Sequence, residues 1–464
     1  MGRDLKRLLV VNYHFLPVHN VGVKQFADYC RHLPEAGWRP TVLTRDWDAG
    51  MAEEDAGWGL SYVPELRGEA GPETRVVTAP YARPRGALLR LHERLVRASG
   101  PGAPAARRAL LAPLRMGLSA GWPLFGRYPD RFTGWIDGAV EAGARVVREE
   151  GVDAILSHCP PETNHLVASR LAKRFGLPWV AYFGDLFNFY VGSGDWHGTP
   201  RRRALVRAMH RRWLAPAGRA LAVSPRMVRL LEEEYGVPGE VVVVGYDERD
   251  FAGAPPPRDD GKLRITHAGS VYPGDQRPEM LFDALDRVIA AEPAAAEELE
   301  VVLVGSKCED RLREMVAGRP CGGVCRILPK VPPAEAVRLQ RTSDVLLLLN
   351  LTAEQTREGT LSYPSKVFEY FAARRPVLAF PGDGDWVDAL VRDTGGGVVA
   401  DTVDELARTL GGWHAAWRAG DGIPYAPRAE RIEAFSRRRQ AARIGSALDR
   451  VAEARPRQRK FPDR

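Results

Sequence analysis

Two charged residues with the spacing of a ligand-binding pair stand in the segment Tyr363–Ala372. Lys366 and Glu369 are three apart, so a helix would project both from one face. Pro364 suits the first turn of such a helix, where its missing N–H costs nothing. A lysine there can bind phosphate, and a carboxylate one turn on can accept hydrogen bonds from sugar hydroxyls. A solvated Lys–Glu pair explains this spacing equally well.

A second group of candidate residues follows the predicted strand Leu263–Thr266. Gly269 and Ser270 offer backbone N–H groups at a predicted strand-to-helix turn, and Arg277 can converge on the same place. Backbone donors and an arginine are the groups that bind phosphate oxygens. The pattern therefore predicts a phosphate site that contains no cluster of metal ligands.

The first half of the chain holds three further candidates at the ends of predicted elements. His158 and Asp185 each follow a short apolar run, where open parallel sheets place their ligands. Gly22 ends a polar loop before a predicted helix, and the absence of a Cβ would let a ligand approach the backbone. A tight turn explains Gly22 equally well, a helix cap explains Asp185, and a single histidine is more often structural.

Strands and helices alternate along both halves of the chain, which predicts parallel α/β sheets. At 464 residues the chain is too long for one hydrophobic core. Residues 252–261 are rich in proline and glycine and form the clearest linker. We therefore expect an N-terminal Rossmann-like domain at 1–252, a C-terminal Rossmann-like domain at 262–424, and a helical stretch at 425–453.

Composition and charge limit the functional classes. Hydrophobic residues make up 45% and charged residues 27% of the chain, as in a globular protein without a membrane span. The net charge of +7 is concentrated in patches, the largest between Arg83 and Arg131. Two basic amphipathic segments there could rest on a membrane or form a solvated face. The five cysteines have no zinc-ligand spacing, which indicates reduced thiols in the cytoplasm.

Several separated stretches together resemble the retaining GT-B glycosyltransferases of the family 4 type, which include enzymes of bacterial surface-polysaccharide and glycoconjugate assembly. The residues that carry the resemblance are Ser157–Pro161, Pro178–Asp185, Gly245–Asp247, Gly269–Tyr272 with Arg277, and Pro364–Glu369. They occur in the family's order over most of the chain. The resemblance implies two doubly wound Rossmann-like domains that face each other across a cleft.

The resemblance also implies a role for each candidate. Arg277 and Lys366 would bind the diphosphate of a nucleotide sugar and act as catalytic cations, with Gly269 and Ser270 at the same site. Glu369 would bind the ribose hydroxyls, and the loop around Gly22 would cover the donor. The first domain would bind the acceptor, with His158 and Asp185 on that side and Asp185 as the catalytic group that positions or deprotonates the acceptor hydroxyl.

Two positions depart from the family pattern. A glutamate common in the family eight residues before Glu369 is replaced by Leu361, although Glu358 lies close by in the sequence. The arginine usual before the aspartate is replaced by Gly184. These changes affect contacts to the sugar and leave the predicted diphosphate residues intact.

The sequence predicts a cytoplasmic glycosyltransferase that acts on a nucleotide sugar, with no cofactor, no metal and no nucleic-acid partner. The acceptor could be a lipid-linked saccharide, which would place the protein peripherally on the cytoplasmic membrane. Two alternatives stay open at this stage. One is a non-catalytic protein that binds nucleotide sugar, and the other is a sugar-nucleotide epimerase on the same fold.

Overall fold

The computed structural model describes residues 5–48, 50, 60–82, 95, 98, 104–120, 130, 132–185, 200–258, 260–272, 276–351 and 363–454. Two compact units divide the chain. Most of the chain up to Val242 lies in the first unit together with the residues from Ala441 onward, and the second unit contains Val243–Gln440. Leu361, Glu358 and most of the basic region from Arg83 to Arg131 lie outside the described residues.

Parallel strands form the main sheet of the first unit. The strands of this unit are β1 Lys6–Val11, β2 Val18–His19, β3 Trp38–Arg45, β4 Ser61–Tyr62, β5 Arg75–Ala79, β6 Ala154–Cys159, β7 Trp179–Phe183, β8 Arg219–Ala222 and β9 Gly239–Val241. The described sheet has the order β5-β3-β1-β6-β7-β8-β9. Strand order reverses between β1 and β6, which are hydrogen-bonded neighbours. The carboxyl ends of these two strands are where an open α/β sheet binds its ligand.

The second unit repeats the same design. Its strands are β10 Leu263–Ala268, β11 Leu299–Val304, β12 Cys325–Leu328, β13 Val345–Leu349, β14 Val377–Phe380 and β15 Gly397–Val399. In the described part they pair in parallel in the order β12-β11-β10-β13-β14-β15, so the switch point lies between β10 and β13. Every residue of β11 and β13 is buried. In β13 this is expected for an unbroken apolar run covered on both faces of a parallel sheet, whereas the buried Glu300 of β11 is paired with Arg264 and Arg326.

Helices connect the strands in both units. In the first unit they are α1 Val21–His32, α2 Ala105–Ala120, α3 Ile136–Glu150, α4 Thr163–Phe175, α5 Pro200–Leu214 and α6 Pro225–Tyr235. In the second unit they are α7 Pro278–Ala291, α8 Ala295–Glu298, α9 Glu309–Val316, α10 Pro333–Thr342, α11 Lys366–Ala372, α12 Trp386–Thr394, α13 Val403–Ala419 and α14 Ala429–Glu433. The expected fold class, two doubly wound α/β sheets, is confirmed.

The last helix, α15 Arg437–Glu453, passes from the second unit into the first at residue 441. Asp449 on this helix accepts hydrogen bonds from the Lys6 ammonium at 2.7 Å and the Trp38 indole at 3.0 Å. Helix α15 is thereby fixed to β1 and β3 of the large sheet. The bounds of the predicted domains remain predictions, since compactness alone does not show which part folds by itself.

Gly397 in β15 offers a test of how closely the second sheet is packed. Its partner in the ladder is Val377, and an added Cβ would overlap the Val377 carbonyl group. We expect Gly397→Ala to lower the free energy of unfolding by about 1–3 kcal/mol, because backbone cannot yield as a side chain can. The measurement is the midpoint of thermal unfolding.

The matched control is Gly412→Ala on α13, where an added Cβ meets no atom within 4 Å. This change should leave the protein equally stable or about 0.5–1 kcal/mol more stable, because alanine favours the helix. Equal midpoints for the two variants would contradict the described β14–β15 pairing.

Candidate functional site

The turn after β10 has a backbone that only glycine adopts easily. Gly269 has a φ of +126°, and its N–H donates to the Val304 carbonyl at 2.7 Å. An added Cβ at this position would lie 2.7 Å from the Lys366 Nζ. The glycine therefore permits both the turn and the close approach of the lysine.

Helix α11 brings Lys366 to this turn. The helix begins at Lys366, so the prediction that Pro364 occupies its first turn is wrong by two residues. The buried Tyr370 hydroxyl accepts a hydrogen bond from the Ala268 N–H at 2.8 Å, directly before Gly269. This contact holds α11 against the end of β10, and it places Lys366 beside Gly269.

The Lys366 ammonium is largely removed from water. Burial lowers the pKa of Lys366 to about 8, and the nearby Glu369 opposes this shift. Its Nζ lies 3.1 Å from Nε2 of His267, a buried residue of β10. A poorly hydrated cation at the carboxyl end of a central strand is suited to bind an anion.

Three other residues of the second unit are predicted to bind the donor, and they lie after the Gly269 turn, on α11 and before α7. Ser270 directly follows the Gly269 turn. Glu369 lies one turn after Lys366, and its carboxylate accepts a hydrogen bond from the Gln340 side chain at 3.1 Å. Arg277 precedes α7 with 58% of its side chain exposed, and its Nε donates to Glu279 at 3.1 Å. This contact uses one of the five N–H donors of the Arg277 guanidinium, and an exposed guanidinium can still bind phosphate through its Nη groups.

The first unit gathers its candidates at the switch point of its own sheet. His158 lies within β6, not after it as predicted, and its ring stacks on Phe26 with centroids 4.0 Å apart. Its Nδ1 lies 3.4 Å from the Asn12 side-chain oxygen. Burial lowers the pKa of His158 to about 3, so the ring is neutral over the working range of most enzymes.

Gly22 lies in the first turn of α1, not in the loop that the sequence predicts. Asn20 caps this helix by accepting a hydrogen bond from the Val23 N–H at 2.9 Å. A Cβ at Gly22 would lie 3.8 Å from the nearest His158 atom, which is an ordinary contact. Local packing therefore does not require glycine at this position.

Asp185 follows β7, beside the end of β6. The Gly184 N–H donates to the Cys159 carbonyl at 2.8 Å, and an added Cβ at Gly184 would lie 3.1 Å from His158 Nε2. The structure thus brings His158 and the Gly184–Asp185 segment to one edge of the sheet. A side chain at position 184 would press on His158 unless the ring moved by a few tenths of an ångström.

Sequence reasoning missed four polar residues at these edges. They are Asn12 after β1, His267 at the end of β10, Asn350 after β13, and Tyr370 on α11. The Asn12 amide nitrogen and the Asn350 side-chain oxygen are buried and have no hydrogen-bond partner among the described residues. A polar residue directly after an apolar run at the switch point is the signal that could have identified both asparagines.

Metal ligands are not clustered at either edge in the described part of the chain, where no group of three or more His, Cys, Asp or Glu is placed to hold an ion. Within the same residues, no helix is both long enough and apolar enough to cross a bilayer.

Two family models match the sequence in the same order as the two sheets. A glycosyl transferase 4-like domain matches residues 22–247, and a glycosyl transferases group 1 domain matches residues 262–413. The chain belongs to the GT-B glycosyltransferases. The Gly269–Lys366 site lies in the group 1 domain, and the His158–Asp185 edge lies in the 4-like domain. No curated protein matches the sequence significantly.

Solved structures support the fold of this glycosyltransferase. Sucrose-phosphate synthase from Thermosynechococcus elongatus is similar over 97% of this chain and 100% of its own, with a TM-score of 0.57 and 15% identity. Anabaena HepE in complex with UDP is similar over 97% and 98%, with a TM-score of 0.52 and 13% identity. The galactosyltransferase WaaB of the lipopolysaccharide outer core is similar over 96% and 99%, with a TM-score of 0.50 and 13% identity.

The glycine turn generates a prediction for ligand binding. Gly269→Ala should displace the Lys366 ammonium and strain the turn, because φ lies in the left-handed region. We expect affinity for a nucleoside diphosphate such as UDP to fall about tenfold or more, since a charge-assisted hydrogen bond is lost. Isothermal titration calorimetry measures this change.

Gly261→Ala is the matched control, because Gly261 also has a positive φ of 65° but no atom within 4 Å of an added Cβ. It should lower stability while leaving affinity unchanged. Unchanged affinity in Gly269→Ala would show that the turn is not part of the binding site.

Proposed function

We propose that the protein transfers a glycosyl group from a nucleoside-diphosphate sugar to an acceptor hydroxyl. The observation that carries this proposal is the largely buried Lys366 ammonium beside the Gly269 turn, at the switch point of the group 1 domain. HepE, a fold relative, has been crystallised with UDP and with UDP-glucose, which makes a uridine diphosphate sugar the first donor to test.

Lys366 and Arg277 would bind the donor diphosphate together with the N–H groups at Gly269 and Ser270, and Glu369 would bind the ribose hydroxyls. Negative charge builds up on the diphosphate as its bond to the sugar breaks. Two fixed cations aimed at this charge can contribute several kcal/mol of transition-state stabilisation. We propose that they do so without a metal ion and that the reaction retains the configuration of the sugar.

On the acceptor side we propose that Asp185 positions or deprotonates the hydroxyl that attacks the sugar. His158 would contribute hydrogen bonds and not charge, because burial keeps its pKa at about 3. Gly22, in the first turn of α1 near His158, would leave room for the donor. These roles follow the family resemblance and the shared position of the residues at the edge of the first sheet.

The first experiment is a thermal-shift screen of purified protein against nucleoside diphosphates and their sugars in the absence of metal. A ligand at a hundred times its dissociation constant should stabilise the protein by about 2.7 kcal/mol. Lys366→Met should abolish this stabilisation. Lys262→Met should preserve it, because Lys262 is an exposed lysine of the same unit that precedes β10 at its opposite end.

An assay of sugar transfer and donor conversion, run beside this screen, separates the alternatives. Stabilisation without sugar turnover would favour a non-catalytic binding protein, and conversion of the donor without an acceptor would favour an epimerase. If no nucleotide stabilises the protein, the proposal fails.

We further propose a lipid-linked saccharide as acceptor and a peripheral position on the cytoplasmic membrane. The support is the excess of arginine between residues 83 and 131 and the exposed side of α2, where Leu110 is 78% exposed. Arginines attract anionic lipid head groups, and apolar side chains enter the interface below them.

Reversing Arg90, Arg94 and Arg97 to glutamate should reduce sedimentation with vesicles of anionic phospholipid, because each basic residue near the surface adds about 1 kcal/mol of attraction. Reversing three exposed arginines of the second unit, Arg311, Arg392 and Arg408, serves as the control for net charge. Equal binding by the two triple variants would refute a specific role for the 83–131 region.

A further inference from the structure

His267 lies on β10, the strand beside the switch point, with its ring completely buried. Its Nδ1 is 3.0 Å from the Leu347 carbonyl oxygen on β13. A carbonyl oxygen only accepts hydrogen bonds, so Nδ1 must carry a proton. In the neutral ring, Nε2 is then left as an acceptor.

The group that faces Nε2 is the Lys366 ammonium, with Nζ at 3.1 Å. An ammonium can only donate, so donor and acceptor are matched at this contact. Burial, followed by the Lys366 charge, lowers the pKa of His267 to about 3, and the backbone of Leu347 and Ser270 opposes this shift weakly. Between about pH 3 and pH 8 the ring is therefore neutral while the lysine is charged.

We propose that His267 is a positioning residue that orients the Lys366 ammonium toward the donor diphosphate. This inference rests on the proposed function, because it concerns the diphosphate site. The Leu347 carbonyl on β13 accepts a hydrogen bond from His267 Nδ1 and fixes the ring. The ring nitrogen Nε2 in turn accepts a hydrogen bond from the Lys366 ammonium. Because Gly269 has no Cβ, Nζ can lie beside the turn. Within the part of the chain that the structure describes, the other two N–H groups remain available to a ligand.

The hydrogen bond from Lys366 to His267 reduces the conformational entropy that the lysine side chain loses when a ligand binds. A lysine has four rotatable bonds and loses much conformational entropy when it is fixed. An acceptor already bound to its ammonium lowers that loss at the moment of binding. Glu369 also acts electrostatically on this ammonium, and the backbone of Ser270 acts on the His267 ring. The variants below leave both groups in place.

Two substitutions separate the two hydrogen bonds of the ring. In His267→Gln, the side-chain amide can reach the position of Nε2 and accept from Lys366. In His267→Asn, the shorter amide can reach the position of Nδ1 and donate to Leu347, but it leaves Lys366 without its acceptor. Both variants introduce a polar amide of similar character at the same buried position, so a general loss of stability should affect them alike.

The measurement is calorimetric titration with UDP and with uridine. We expect His267→Asn to bind UDP about tenfold or more weakly than His267→Gln, because a hydrogen bond to a charged group is lost. Affinity for uridine, which lacks phosphate, should be equal in the two variants. In the Lys366→Met background the difference between Asn and Gln should vanish, since the lysine through which His267 acts is absent.

A second readout needs no ligand. The rate at which an amine-reactive ester modifies Lys366, followed by mass spectrometry over a pH series, gives the titration midpoint of the ammonium. Losing an acceptor destabilises the charged form, so the midpoint in His267→Asn should be lower than in wild-type and in His267→Gln.

Equal UDP affinities and equal midpoints for the two variants would overturn the role of His267 while leaving the diphosphate site intact. If the wild-type protein does not bind UDP at all, the proposed function is contradicted instead. The labelling midpoints would then still decide whether His267 stabilises the charged form of Lys366.

Discussion

The contact between the Lys366 ammonium and the Gly269 turn is the constraint on which the candidate site depends. Taking an ammonium out of water costs free energy, which appears here as a pKa lowered to about 8. A Cβ at position 269 would prevent the ammonium from lying there. At this position the neutral His267 ring accepts one hydrogen bond from the ammonium. An anionic ligand would offset the lost solvation of the ammonium, which supports the proposed phosphate site.

The fold makes this contact possible through long-range geometry. Parallel pairing of β10 with β11 and β13 puts the Gly269 turn at the edge where strand order reverses. Tyr370 then joins α11 to the end of β10, which fixes the lysine relative to the turn. In the first unit, too, polar side chains meet where the strand order reverses, with Asn12 and His158 at the ends of β1 and β6. Two similar sheets therefore supply two chemically different edges, one cationic and one with a neutral histidine and an aspartate.

Much of this organisation could be predicted from the sequence, because parallel sheets leave a local pattern. Apolar runs such as Val345–Leu349 identify the strands, and the spacing of Lys366 and Glu369 identifies a shared helix face. The partnership of His267 with Lys366 could not be predicted, because the two residues are 99 positions apart and meet only through the sheet register. The same holds for Tyr370 and Ala268. The start of α11 was misplaced because Pro364 is compatible both with a first helical turn and with the residues before it.

The most direct test of the central claim is a crystal structure of the protein with UDP bound. We expect diphosphate oxygens within hydrogen-bond distance of the Lys366 Nζ and of a backbone N–H at Gly269 or Ser270, with the His267 ring still in contact with the lysine. A diphosphate bound elsewhere, with the Lys366 ammonium facing no ligand atom, would contradict the assignment of this edge as the donor site.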